Sequence, residues 1–277
     1  MPAARHRAAV LGKPVSHSLS PVIHRAGYAA AGLADWSYAA HECAEDELAG
    51  FLSGLGPEWA GLSLTMPLKH VAAAAADQSS WLVEALGAAN TLVRRDDRWV
   101  AENTDAPGMA DAIRGAGLRQ ATRVVVLGAG GTARAALAAA TQLGAEQVAV
   151  HARRAEALAQ LAPVAERLSA PLLPRLWDTL AESVATADLV ISTVPAGVAD
   201  VLAAMLDKHQ APDRLTVFDV IYHPWPTVLA GAAAQAGCRV VNGLDLLLAQ
   251  AVRQFELFTE IAAPEAAMRQ ALRAAVS

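Results

Sequence analysis

A chain of 277 residues is long for one average domain and comfortable for two, so it can bury sizeable cores without staples. Its only cysteines, Cys43 and Cys238, lie far apart, which excludes a disulfide framework and metal-ligand spacing and fits a reducing cytoplasm. A net charge of -5 with scattered Lys and Arg leaves no basic stripe for nucleic acid. Although 54% of the residues are hydrophobic, runs such as residues 71–76 stop at Asp77, well short of the roughly 18 apolar residues of a membrane span.

The basic start carries an apolar run over residues 8–11 alone, too short for a signal-peptide core. The first third then reads as short β/α units: a strand over residues 8–12, a helix over 22–31, the strand WSYAAHE, a helix over 45–55 and the strand GLSLT. Strands separated by helical patterns of this length predict parallel βαβ packing. In GLSLTMPLKHV the apolar alternation ends at Pro67, and Lys69 follows two residues later. Read alone, that lysine is an ordinary exposed loop residue.

From Thr122 the pattern sharpens. RVVVLGAGGTARAALAAATQLGA is a buried strand, a glycine turn and an alanine-rich helix ending at Gly144. Further strands are predicted in QVAVHAR, ADLVIST, LTVFDVI and CRVVNG. Two helices, LDLLLAQAVRQFELF and PEAAMRQALRAAV, follow with apolar residues three and four apart. The fold class is α/β with two domains. Residues 1–106 form an N-terminal α/β domain and residues 107–243 a Rossmann-type dinucleotide-binding domain. Residues 244–277 form C-terminal helices that return to the first domain. The boundary near Pro107 rests on the change of motif, since composition does not shift there.

The turn Gly128-Ala129-Gly130-Gly131-Thr132-Ala133 fits G-x-G-x-x-[GA] between a strand and a helix. Gly128 permits the tight turn, Gly130 admits a pyrophosphate to the backbone, and Ala133 allows close helix packing. The N-H groups and dipole of the helix start favour an anion. About 20 residues on, where an NAD-binding domain places an acid for the ribose hydroxyls, this chain has His151 or Ala152, then Arg153 and Arg154. Two guanidiniums without a carboxylate suit the 2′-phosphate of NADP, with NAD the second choice. The plainer reading is a solvated helix start, with Glu156 pairing one arginine.

Three polar clusters punctuate the first third: GKPVSHSLSPVIH, LTMPLKH and, after GAANTL, ENTDAPG. Each lies at the end of a predicted strand or in the loop after it, where open α/β sheets place ligand groups. They supply Ser18, Ser20, Thr65, Lys69, Asn90, Thr104 and Asp105: hydroxyls and an amide, with one ammonium and one carboxylate. Such a set suits a small polyol acid. Asp105 also reads as a cap for a helix beginning near Pro107, and Ser18 and Ser20 as turn residues flanking a proline. The histidines at 17, 24, 41 and 70 show no metal spacing, and no metal site is expected.

With these motifs in hand, the chain resembles the shikimate dehydrogenase family over nearly its whole length. GKPVSHSLSPVIH, SLTMPLK, GAANTL, ENTDAPG, GAGGTARA, DVIYHPWPT and NGLDLLLAQAVRQFE all occur in family order. The resemblance implies NADPH-dependent reduction of 3-dehydroshikimate to shikimate, on the route to chorismate and the aromatic amino acids, by a cytoplasmic monomer or homodimer. It implies that Ser18 and Ser20, helped by Thr65 and Tyr222, hold the substrate carboxylate. Asn90, Lys69, Asp105 and Gln250 then contact ring hydroxyls, with Lys69 and Asp105 as the catalytic pair. Gly243 corresponds to the family glycine that lets the nicotinamide approach the backbone. On the residues alone, Tyr222 is equally a core aromatic with a polar tip, and an inward Gln250 amide requires a partner.

The chain also departs from the family. Ser63-Leu64-Thr65 stands where Asn-Val-Thr is usual, which predicts a smaller hydroxyl, or a water, in place of one amide contact to a ring hydroxyl. His151-Ala152-Arg153 stands for Asn-Arg-Thr or Asn-Arg-Ser, which leaves open which arginine reads the phosphate. Leu246 stands for a methionine, a swap that conserves apolar character. Rival readings are a quinate or aminoshikimate dehydrogenase of the same fold and a catalytically silent NADP-binding sensor. Retention of both Lys69 and Asp105 speaks against the sensor.

Overall fold

The structure, a computed structural model, describes residues 5–206 and 215–276. The reading of the basic start falls partly on residues 1–4, outside the described residues. The chain divides into two compact units, Met1–Thr104 with Leu247–Ser277, and Asp105–Leu246.

The first unit is built on β1 (His6–Gly12), β2 (Trp36–Glu42), β3 (Trp59–Leu64), β4 (Gln78–Ser79), β5 (Thr91–Arg95) and β6 (Arg98–Glu102). They form one sheet in the order β2-β1-β3-β5-β6-β4. β1 runs parallel to β2 and β3, as the βαβ pattern predicts. Beyond β3, where the sequence reading names no strand in this unit, the sheet becomes mixed, because β3–β5 and β5–β6 are antiparallel. The β5–β6 pairing is set by its turn: Asp96 and Asp97 both take positive φ, 47° and 62°. That is the geometry of a tight two-residue hairpin, which pairs neighbouring strands directly and leaves no room for a crossover helix.

Ala9, Leu11, Leu62, Leu64 and Leu92 from the central strands are buried beneath Leu48, Leu68 and Val83 from the connecting segments. The C-terminal helices, Gly243–Thr259 and Glu265–Val276, explain why Leu247–Ser277 belongs to this unit. The second packs along the helix Ser20–Ala30. The first lays Phe258 against β3 at Gly61, where any side chain would overlap the ring.

An aromatic cluster fills the space under these helices. His24 is fully buried, stacked 4.2 Å from Tyr38 at 8° and flanked by Tyr28 and Phe258. Burial pushes its pKa down to about 3, with the adjacent Gln254 amide opposing. The unfolded chain therefore takes up a proton as pH falls through about 6.5, whereas the folded chain does not until about pH 3. Stability is fully present above the unfolded value and drains away as pH falls through this window, by about 1.4 kcal/mol per pH unit. His151, also lowered by burial, acts in the same direction. Urea unfolding midpoints are thus expected to fall steeply from pH 7 to pH 4. His24→Phe, which keeps the stack and removes the proton site, should flatten that slope.

The second unit carries β7 (Arg123–Leu127), β8 (Gln147–Ala152), β9 (Leu172–Leu176), β10 (Leu189–Ser192), β11 (Thr216–Asp219) and β12 (Arg239–Asn242). All are parallel, in the order β12-β11-β10-β7-β8-β9. This is the doubly wound order, whose direction of winding reverses between β7 and β10 and leaves a ligand crevice at their carboxyl ends. β9 escapes the sequence reading because Pro174 interrupts its pattern. It is tolerated because β9 lies at the sheet edge, where one side has no ladder to complete.

Candidate active site

In the second unit, β7 ends at Leu127 and Gly128 turns the chain at φ +104°. A side chain there would meet the Thr193 hydroxyl at 2.7 Å. That hydroxyl donates to the Leu127 carbonyl (2.6 Å), and the Gly128 N–H donates to the His151 carbonyl (2.8 Å). The turn is thereby pinned to both neighbouring strands. Gly130 precedes the helix Gly131–Gln142, which has no acidic residue in its first turn. Ala133, fully buried, lets that helix lie close.

A cavity of about 300 Å³ opens at this turn, lined by Gly128, Ala129, Gly130, Ala152, Arg153 and Arg154, with Trp177 and Gln160 beside them. The alternative left open at the end of β8 is resolved here. His151 is fully buried, its ring nitrogens bonded to the Leu176 carbonyl (3.0 Å) and the Ser183 hydroxyl (2.9 Å). Ala152 is the residue that faces the cavity. No carboxylate is among the lining residues. Arg153 and Arg154 are exposed, and among the described residues no carboxylate pairs with either, Glu156 included. A glycine turn at a helix start with two unengaged guanidiniums fits a dinucleotide bearing an extra phosphate.

Asp219, at the end of β11, is a buried acid that the sequence reading did not single out. Burial raises its pKa against the hydrogen bonds that favour its charged form. It accepts from the Thr227 hydroxyl (2.8 Å) and the Ile221 N–H (3.3 Å), closing the loop that carries half-buried Tyr222. Its signal was an acid ending an apolar strand. Gly243 abuts the Val220 carbonyl so closely that a side chain would overlap it, a packing reason for glycine independent of any cofactor.

In the first unit the motifs converge through backbone bonds. Thr65 N–H donates to Leu11 (2.9 Å) and Lys13 N–H to Met66 (2.9 Å), tying LTMPLKH to GKPVSHS. Leu68, fully buried, anchors the turn, and half-exposed Lys69 follows it. The Lys69 carbonyl accepts from Ala89 N–H (2.8 Å), and Leu64 N–H donates to the Asn90 carbonyl (2.7 Å), so Asn90 is held beside both. Ser18 accepts from the Ser20 N–H (3.3 Å), and Ser20 opens the helix Ser20–Ala30.

Asn90 is buried and bonded to Thr104 at both ends of its amide: Nδ2 donates to Oγ1 (2.9 Å) and Oδ1 accepts from the backbone N–H (2.8 Å). Asp105 comes next in the chain and is itself the first residue of the helix Asp105–Gly115, which starts two residues before the position expected near Pro107. The Gln250 amide has found a partner, donating to the Leu247 carbonyl of its own helix (2.8 Å). Ser63 has protein partners that the sequence does not name. Its hydroxyl is buried, donating to Gln254 Oε1 (2.7 Å) and accepting from the Tyr38 hydroxyl (2.6 Å). Its proton is therefore committed inside the protein, to Gln254.

Among the described residues, no cluster of His, Cys, Asp and Glu gathers to hold a metal ion, and no helix is long and apolar enough to cross a membrane. Residues 10–92 match the family model of the Shikimate dehydrogenase substrate binding domain and residues 243–273 that of the Shikimate 5'-dehydrogenase C-terminal domain. A protein of Caulobacter vibrioides named Shikimate dehydrogenase (NADP(+)) is 39% identical over 89% of this chain and 87% of its own length. The chain belongs to the shikimate dehydrogenase family.

Solved structures agree. That of Mycobacterium tuberculosis shikimate dehydrogenase superposes with a TM-score of 0.89 at 42% identity, covering 97% of this chain and 99% of the other. That of the Thermus thermophilus shikimate 5-dehydrogenase in complex with NADP(H) and shikimate gives 0.83 at 32%, covering 98% and 99%. The central residues 101–206, which carry the glycine turn, match the Alanine dehydrogenase/PNT C-terminal domain. The shikimate dehydrogenase substrate-domain match contains Ser18, Ser20, Thr65, Lys69 and Asn90; the C-terminal match contains Gly243 and Gln250.

Proposed function

We propose that this chain is an NADP-dependent shikimate dehydrogenase, catalysing the reversible reduction of 3-dehydroshikimate to shikimate on the route to chorismate and the aromatic amino acids. The observation that carries the reading is a pairing of two features. The first unit gathers hydroxyls, an amide and one ammonium at the strand ends. The second has a glycine-turn cavity with two unengaged arginines and no acid.

When bound, NADPH supplies a hydride to the ketone carbon and leaves as NADP. The chain's residues do the rest. Ser18, Ser20, Thr65 and Tyr222 hold the substrate carboxylate, and Asn90 and Gln250 fix ring hydroxyls. Lys69 delivers a proton to the oxygen that becomes the hydroxyl and takes it back in the reverse direction. Lysine can release a proton, as arginine cannot. Asp105 orients that ammonium and the reacting hydroxyl. The Gly128–Ala133 turn takes the pyrophosphate, Arg153 and Arg154 the 2′-phosphate, and Gly243 the nicotinamide edge. We place the protein in the cytoplasm as a monomer or homodimer, a location suited to the two free cysteines.

The test is absorbance at the reduced-nicotinamide band with shikimate and quinate, each against NADP and NAD. Strong turnover is expected with shikimate and NADP. Preference for quinate or NAD would keep the mechanism and move the substrate or cofactor. Silence in all four would overturn the enzyme reading.

A further inference from the structure

Gln254 lies one helical turn after Gln250, on a helix of otherwise apolar inward spacing, and is 1% exposed. Burying a primary amide this deeply requires every one of its groups to be satisfied. Its Oε1 accepts from Ser63 (2.7 Å), whose hydroxyl in turn accepts from Tyr38 (2.6 Å). Its Nε2 donates twice, to the Asn90 carbonyl (3.2 Å) and to the Thr91 hydroxyl (2.9 Å). Thr91 Oγ1, having accepted from Gln254, passes its own proton to Asn90 Oδ1 (3.0 Å).

The direction of this chain of bonds matters. The two ends of an asparagine amide have the same shape, and only their hydrogen-bond partners decide which end points where. The Thr104 N–H (2.8 Å), the Thr104 hydroxyl (3.2 Å) and the Thr91 hydroxyl together hold Asn90 Oδ1 toward the interior. The opposite end, the NH2 group, is thereby fixed as the donor end; it gives one hydrogen to the Thr104 hydroxyl (2.9 Å), and an amide nitrogen carries two. Gln254 contributes to this constraint, since by donating to Thr91 it leaves that hydroxyl's proton for Asn90, and it also grips the Asn90 backbone carbonyl.

We propose that Gln254 is a positioning residue, which acts through Thr91 and the Asn90 carbonyl to orient the Asn90 amide as a hydrogen-bond donor to a substrate ring hydroxyl. The inference rests on the reading of Asn90 as a substrate contact. It assigns the Tyr38–Ser63–Gln254–Thr91 chain a part in substrate affinity that is exerted through Asn90.

The test is steady-state kinetics of the full-length enzyme with shikimate and NADP for Gln254→Met, Asn90→Ala and the double variant, with thermal midpoints alongside. Gln254→Met is expected to raise the shikimate KM about tenfold, roughly 1.4 kcal/mol, while leaving the NADP KM and kcat within about twofold. The double variant should be no worse than Asn90→Ala, because one residue works through the other. Thr91→Val cuts the relay with Gln254 in place, and should reproduce the selective rise even if Gln254→Met folds poorly. An unchanged shikimate KM in both Gln254→Met and Thr91→Val overturns the inference, as do multiplying effects in the double variant. So does a fall in kcat and thermal midpoint with KM intact, the mark of a merely structural role. If Asn90→Ala itself leaves the shikimate KM unchanged, the reading of Asn90 fails first and the inference falls with it.

Discussion

Lys69→Ala is expected to lower kcat by about two to four orders of magnitude, the usual range for removing a general acid-base group, with a small change in shikimate KM. The local structure separates chemistry from scaffolding here. Buried Leu68 anchors the turn, and Lys69 contributes its backbone carbonyl, not its side chain, to the bond with Ala89. Truncation to alanine therefore leaves the loop's backbone bonds in place. Initial rates against shikimate concentration provide the check, with loss confined to kcat marking a transition-state role. A rise in KM at unchanged kcat would instead make Lys69 a binding residue and require another proton carrier. Lys69→Arg should be nearly as inactive as Lys69→Ala, because it restores the charge without a releasable proton.

The second large effect concerns cofactor choice. Arg153→Ala with Arg154→Ala is expected to reduce the ratio of kcat/KM for NADP over NAD by roughly two orders of magnitude, the scale of losing two charge-assisted hydrogen bonds to a phosphate. Both arginines are exposed, so the thermal midpoint should hardly move. The single variants show which guanidinium carries more of the preference. An unchanged ratio in the double variant would sink the assignment and direct attention to Trp177 and Gln160 on the same cavity wall. Because Ala152 offers no acid to the ribose hydroxyls, the double variant is expected to lose NADP without gaining NAD.

Local patterns account for much of what could be read in advance. The strand, glycine turn and helix over residues 123–142 are written in adjacent residues: a buried run, a turn needing positive φ at Gly128, and alanines that permit close packing. The polar clusters around Ser18, Thr65 and Asn90 stand out for the same reason, as hydroxyls and amides interrupting apolar strand patterns. Burial periodicity and turn chemistry are short-range properties, so one sequence suffices to see them.

Other features depend on partners that no local pattern names. Whether β5 and β6 pair antiparallel turns on two aspartates adopting positive φ, and Pro174 is acceptable in β9 only because that strand lies at an edge. His151 or Ala152 could not be chosen from sequence, because a shift of one residue along a strand exchanges the two faces of the sheet. The acceptor for the Ser63 hydroxyl lies 191 residues away. By itself the sequence determined the two α/β domains, the glycine turn and the chemical character of the strand-end loops, since these follow from neighbouring residues. Only the tertiary structure decided the mixed first sheet, the inward His151 and the buried Tyr38–Ser63–Gln254–Thr91 chain, because a buried polar group is satisfied by whatever the fold brings beside it, at any separation along the chain.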